Sequence, residues 1–296
     1  MRKLSNEKRA EILNCLVEGL SVRATCRLTG AAKVTVLRLL LDAAVACTNH
    51  HDRTVRDLPT TNIQADEAWG FVGCKDRAKR RGASGHGNAW TWVAQDADSK
   101  LVISWVVGDR NAREANMLMK DVAARVTGHV QVSTDSLNSY SAAIWYAFEP
   151  GTVSYGIVKK TYASAGTKED QRRYSPSVCV GCVKEPGFGE PDENLISTSF
   201  IERQNRDLRM RCRRMTRLTD AFSKKIDNHV AATALHYWAH NFVRKHATLK
   251  RTPAMAAGIV ERSLTTLDLV AIIEAEEKLL GSRLTGYLPS PKAESK

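Results

Sequence analysis

Residues 62–72 read NIQADEAWGFV, an apolar and aromatic run with an acid, Asp66, in its middle. Its composition is that of a strand. A carboxylate inside a buried strand is costly unless something compensates it. Two more acids stand in telling places. Asp135 ends HVQVSTD (129–135), another short β-type run, and Glu202 opens the very basic stretch FIERQNRDLRMRCRRMTR (200–217). A divalent cation shared between carboxylates is a common compensator, so the three acids together suggest a metal-dependent nuclease or strand-transfer site. On a helix, Glu202, Asn205, Arg206 and Arg209 fall at i, i+3, i+4 and i+7. One face then carries an acid for a metal and cations for phosphate. Singly, each acid has an ordinary explanation: an Asp that caps a turn, or a Glu solvated among arginines. Their order and their strand, strand, helix placement give them force jointly.

Outward from residue 62 the pattern stays regular. NIQADEAWGFVGC, AWTWVAQDADS and LVISWVVGDR read as three successive antiparallel strands joined by Gly-rich or DADS-type turns. Asn111 can cap a helix over AREANMLMKDVAARV; HVQVSTD is a strand, SLNSYSAAIWYAF a helix and TVSYGIVKK a strand. The order β-β-β-α-β-α-β predicts a mixed α/β fold in which the first and fourth strands lie side by side and their acids face one another. Residues 159–197 are rich in Gly, Pro, Ser and charge and read as an insertion. Helix is expected to resume at a cap on Ser197 or Ser199 and to run through MTRLTDAFSKKIDNHVAATALHYWAHNFVRKH. A last amphipathic helix, TLDLVAIIEAEEKLL, precedes a polar tail and is either a packing helix or a contact between copies.

Before residue 62, the segment 4–45 reads as three short helices, with Ser21 as a cap and Gly30 as a breaker. That is a helix-turn-helix layout. Its third helix would turn Lys33, Thr35 and Arg38 outward into a DNA groove; the plain alternative is a three-helix packing unit. Residues 47–60 have little apolar periodicity and read as a linker. The division is therefore 1–46 for the helix-turn-helix, 47–60 for the linker, 61–255 for the α/β core with its insertion, and 256–296 for the C-terminal helix and tail.

The chain of 296 residues carries a formal charge of +12 and a pI near 9.5. A polyanion is the expected partner, because cations that neutralise phosphates gain from counterion release. The N-terminus MRKLSNEKR has no apolar signal core, and no run approaches the length of a membrane span. A cytoplasmic protein with access to DNA, and no membrane partner, is expected. Seven cysteines, an odd number, fit reduced thiols. Cys179 and Cys182 form a lone CxxC, which without a second pair is weak evidence for zinc.

Other candidates weigh less. Glu67 adjoins Asp66 but should point to the opposite strand face. Asp96 and Asp98 fit hairpin chemistry. His236 and His240 fit a packed or surface helix face, and Trp69 and Trp90 fit core packing. Ser133, Thr134 and Ser136 have no evident general base, which argues against a serine nucleophile.

The strand order, with Asp on the first strand, Asp after the fourth and Glu on a later helix, resembles the ribonuclease-H-like fold of DDE transposases and retroviral-type integrases. The resemblance is closest to bacterial insertion-sequence transposases of the insertion-sequence-one kind, through QADEAW, STDSLNSY and FIERQNRDLR; NFVRKHATLKRTPAMAAGI is similar to the closing segment of many such cores, and His246 to a family position near the site. The resemblance implies a five-stranded mixed sheet with flanking helices, in which Asp66, Asp135 and Glu202 are the catalytic, metal-binding acids. Asn205, Arg206 and Arg209 would meet DNA phosphates beside them. It further implies two Mg²⁺ or Mn²⁺ ions about 3.5–4 Å apart, water attack that nicks element ends, and attack of the freed 3′-hydroxyl on target double-stranded DNA by a homo-oligomer. Two departures stand out. Asp135 and Glu202 lie 67 residues apart (202 minus 135), more than in many members, and the cysteine zinc finger that this kind carries before the helix-turn-helix finds only Cys15 in the first 20 residues. Two other readings share the same residues: a transposase-derived DNA-binding regulator without catalysis, and a metal-dependent nuclease that cleaves without joining.

Overall fold

The computed structural model describes residues 3–76, 86–163, 179–216 and 219–284. It is a mixed α/β structure around a six-stranded sheet. Strands β1 (Asn62–Val72), β2 (Gly87–Asp96) and β3 (Val102–Gly108) form an antiparallel meander. The β2–β3 turn is closed by Asp96, whose carboxylate accepts from the Ser99 amide at 3.0 Å and the Thr60 hydroxyl at 2.6 Å. This is the hairpin chemistry that the DADS sequence predicts. β4 (Val130–Asp135) and β5 (Val153–Tyr162) add in parallel, and β6 (Cys179–Phe188) closes the far edge antiparallel to β5, giving the order β3-β2-β1-β4-β5-β6. The expected neighbourhood of first and fourth strands is therefore present. The expected count of five strands is not, because part of the 159–197 insertion is strand: β5 runs to Tyr162 and Cys179–Phe188 pairs with it. An edge tolerates Pro186 and exposed residues along β6 because one side of the strand needs no partner.

Helices α4 (Ala112–Ala123) and α5 (Asn138–Ala147) connect β3 to β4 and β4 to β5, and Asn111 caps α4 as its sequence predicts. The N-terminal trio is α1 (Asn6–Val17), α2 (Val22–Thr29) and α3 (Lys33–Thr54), with Ser21 capping α2 and Gly30 ending it in the left-handed region. Here the structure corrects the sequence reading. The expected linker at 47–60 is helical as far as Thr54, and α3 is long enough to be a core helix as well as the end of a helical trio. His51 is buried and bonds the Val102 carbonyl at 3.1 Å, while His50 accepts from the Trp238 indole at 3.2 Å and stands edge-on to Phe242. Ile12, Leu13, Leu39 and Leu40 share one buried cluster with the residues beneath the sheet.

The C-terminal half supplies α6 (Ser199–Arg211), α7 (Ile226–Phe242), the short α8 (Pro253–Ala256) and α9 (Thr266–Leu280). The single helix expected from residue 197 onward is broken: α6 ends at Cys212, whose backbone is extended, before α7 begins at Ile226. α7 is buried on most sides, polar residues included, and packs Ala234, Leu235, Trp238 and Phe242 against α3 and the sheet. α9 packs on α1 and α3, where Glu274 meets Arg9 at 2.6 Å and Glu276 meets Asn49 at 2.7 Å and also Arg53. Gly19, at φ 81°, follows α1 in a position where a Cβ would lie 2.6 Å from the Arg211 carbonyl oxygen, so the trio seats directly on the end of α6. Among the described residues no helix is long and apolar enough to cross a membrane.

Candidate metal centre

The register of β1 on β4 pairs Asn62 with Gln131, Ile63 with Val132 and Gln64 with Ser133. Continued by two residues it would set Asp66 against Asp135. The ladder stops at Gln64, so the two acids stand where the strands no longer bond one another. A side chain from either face of β1 can reach that gap. One does: Asp66, Glu67 and Asp135 each offer a carboxylate oxygen within 4.8 Å of the others. Strand alternation alone sent Glu67 away, and the structure corrects that expectation.

The three carboxylates are held differently. Asp135 accepts from the Leu137 amide at 3.0 Å, which fixes it at the start of the turn into α5. Glu67 is buried and already paired: one oxygen meets Arg110 Nη2 at 2.6 Å and Nε at 2.8 Å, the other accepts from the Tyr140 hydroxyl at 3.1 Å. Burial, then the charge of Asp135, raises its carboxyl, and Arg110 works against that. Among the described residues Asp66 has no cation within ion-pair distance. Burial first, then the charges of Glu67 and Asp135, push its carboxyl up to about 7; a bond from Asn205 Nδ2 at 2.8 Å opposes the shift only in part. Three acids of one sign, with one close arginine among the described residues, leave negative charge that a hard cation would relieve.

Helix α6 is fastened to this strand by side chains of one β1 face. Gln64, two residues before Asp66 and therefore on the same face, accepts from the amides of Phe200 at 2.9 Å and Ile201 at 3.2 Å. Those are N–H groups that a helix start leaves without partners. Asp66 takes the Asn205 amide one turn later. Asn205 is thus buried and turned inward, a correction to its expected place against DNA phosphate. Glu202, between these two attachments, is exposed and outside the cluster of three acids. Its Oε1 accepts from the Lys160 ammonium of β5 and from the Thr198 hydroxyl. Thr198 sits at the helix start but spends its hydroxyl on Glu202 rather than on a cap. Neither Ser197 nor Ser199 is the capping residue.

The remaining sequence candidates fall as follows. Arg206 is exposed and Arg209 half-buried; Lys33 and Arg38 are exposed and Thr35 half-buried on the first turns of α3. Ser133 and Thr134 are fully buried, Thr134 against the Tyr155 hydroxyl at 2.8 Å. Cys179 and Cys182 are exposed free thiols on β6. His236 and His240 are buried in α7, as a packed helix face predicts, and burial lowers both rings. His246 follows that helix with its ring partly exposed. Trp69 and Trp90 are half-buried; Trp90 packs against the core cluster as expected, Trp69 does not, and Lys75 stands over the first and Arg110 over the second. Gln64, Glu67, Arg110 and Lys160 are the participants that sequence reasoning missed. Of these only Gln64 carried a signal: a polar residue in phase with Asp66 on a strand otherwise buried. No protein-family model matches the chain, and no curated protein sequence matches it.

Proposed function

We propose that the chain is a DDE-type DNA transposase of ribonuclease-H-like fold, with Asp66, Asp135 and Glu202 as its metal-binding acids and an N-terminal helix-turn-helix for DNA. The observation that carries the reading is the meeting of Asp66 and Asp135 just past the end of the ladder between the adjacent parallel strands β1 and β4, with α6 fastened beside them so that Glu202 lies one turn from the Asn205 that holds Asp66. The donor set fits Mg²⁺ or Mn²⁺: all ligand atoms are carboxylate oxygens, and the raised carboxyl of Asp66 marks uncompensated negative charge. Asp66 and Asp135 would hold the ions, joined by Glu202 once it parts from Lys160. Both oxygens of Glu67 are engaged by Arg110 and Tyr140, which leaves it a supporting charge. When bound, such ions supply an activated attacking oxygen and a stabilised leaving oxygen in phosphoryl transfer.

The protein's own residues do the positioning. Asn205 fixes Asp66, Leu137 fixes Asp135 through its amide, and Gln64 fixes the start of α6. Arg206, exposed one turn beyond Glu202, and Arg209 would meet the phosphates of the strand being cut, and Lys33, Thr35 and Arg38 would meet the element end as the first turns of a DNA-reading helix. The net charge of +12 gives the long-range attraction.

The test is incubation of purified protein with Mn²⁺ and a labelled duplex carrying the flanking element ends, beside Asp135→Ala. Metal-dependent nicks and joined products, absent in the variant, are expected. Nicks without joining would make the protein a nuclease of the same site. Tight binding with no cleavage by either protein would make it a DNA-binding regulator.

A further inference from the structure

Glu67, Asp135 and Glu202 each have a partner that is cationic or a backbone amide, and the partners are not equivalent. Glu67 has Arg110, locked by a third contact to Tyr140. Glu202 has Lys160. That lysine lies on β5 two residues beyond Val158, the last β5 residue paired with β4 and the partner of Asp135. Val158 and Lys160 therefore share a face of the sheet, and the lysine projects where β4 has ended. Its side chain is 23% exposed, low for a lysine, and its ammonium bonds the same Glu202 oxygen that Thr198 bonds. A positive charge projecting past the end of β4 thus bonds the acid of α6, the group that a divalent ion at Asp66 and Asp135 would have to recruit.

We propose that Lys160 is a positioning residue: an internal cation that holds Glu202 beside the acid cluster while metal is absent, and that a divalent ion must displace to engage Glu202. The proposal rests on the metal-site reading above. Metal binding on this account is an exchange in which the ammonium leaves Glu202 as the ion arrives, so Lys160 lowers metal affinity. It also keeps Glu202 paired while that acid stands outside the cluster of Asp66, Glu67 and Asp135.

The experiment is a titration of Mn²⁺ into the full chain without DNA, followed by the loss of free-ion electron paramagnetic resonance signal. Four proteins are compared with wild type: Lys160→Met, Glu202→Gln, the double variant and Asp135→Ala. Lys160→Met keeps the aliphatic stem and removes the charge. It is expected to tighten Mn²⁺ binding by about two- to fivefold, the scale of a partly exposed ion pair. In the Glu202→Gln background the same change should have no effect, because the competition is for Glu202. A purely structural lysine would give no such dependence on Glu202. Unchanged or weaker binding in Lys160→Met, with wild type binding Mn²⁺ and Asp135→Ala failing to, overturns the proposal and leaves the metal site standing. Wild type binding no Mn²⁺ overturns both. A gain that persists in the double variant also overturns it, since Lys160 would then act through general charge.

Discussion

Glu67 adjoins Asp66 in the chain, Glu202 lies one helical turn from the Asn205 that bonds it, and both have a basic partner, yet the two pairs are built to opposite ends. Glu67 is 2% exposed at its side chain, meets a guanidinium through two nitrogens and a phenol through its other oxygen, and leaves no oxygen free. Glu202 is 43% exposed and its partner is a lysine on a flexible stem, with a threonine hydroxyl beside it. A planar fork held at two points fixes a carboxylate; a point charge on four methylenes can be exchanged. The comparison separates an acid that holds the site together from one that can change partners, although the two are indistinguishable by residue type.

The largest effect should come from breaking the exchangeable side. Asp135→Ala or Glu202→Gln is expected to lower Mn²⁺-dependent nicking by about a thousandfold or more, the scale on which members of one catalytic unit fail when removed singly. Glu202→Gln should melt within a few degrees of wild type, since an exposed pair adds little to stability. Nicking that survives in Glu202→Gln but is lost in Glu67→Gln would reverse the two roles.

The next effect is on stability and falls on the locked side. Arg110→Ala strands a buried Glu67 between Asp66 and Asp135. Breaking a fully buried pair costs about 3–5 kcal/mol; the 41% exposure of Arg110 discounts this to about 2–3 kcal/mol. Chemical denaturation of Arg110→Ala beside Lys160→Met would measure the difference directly, with less than about 1 kcal/mol expected for the lysine.

A smaller, pH-dependent effect follows from Asp66. Its carboxyl is raised from 3.8 to about 7, so between those values the folded protein binds more protons than the unfolded chain. Stability of the metal-free protein should then fall as pH rises from about 4 to about 7. Melting temperatures in EDTA across that window would show the decline. Asp66→Asn should flatten it, and Mn²⁺ should offset it at the upper end by binding the ionised form.

Much of this arrangement was legible in the chain. The seven-element order, the neighbouring first and fourth strands, the caps at Ser21 and Asn111 and the Asp96 turn follow from local composition, because each depends on residues within a few positions of one another. What was not legible depends on distant partners. α3 runs past residue 46 because His51 fills a buried position and His50 packs on Trp238 and Phe242, contacts that a hydrophobic pattern does not count. β6 has neither alternation nor a free choice of residues, with Pro186 and Gly187 inside it, and is a strand only because β5 is there to pair with. Glu67 reaches the site because the β1–β4 ladder ends early, which no period-two argument contains. Asn205 and Arg206 are neighbours on one predicted face, yet packing turns the first toward Asp66 and leaves the second in solvent.

The smallest effect expected tests how α6 is aimed. Glu202 is placed by the two attachments that flank it, Gln64 at the first amides and Asn205 at Asp66, rather than by burial of its own side chain. Gln64→Ala removes the acceptor from the two amides of Phe200 and Ile201, at a cost near that of a lost N-cap, about 1 kcal/mol. Because Ile201 and Leu208 still anchor the helix in the apolar layer behind it, α6 should remain folded. Its first turn should loosen, however, and with it the position of Glu202. The signature is a drop in kcat for nicking of about tenfold, as small displacements in a positioned site cost more than the stability they forfeit. KM for DNA should stay unchanged, since Arg206 and Arg209 lie on later turns. A fall in stability with kcat intact would mean that Glu202 is aimed by Lys160 and Thr198 alone, and would move the exchangeable pair from the mouth of the site to the centre of its geometry.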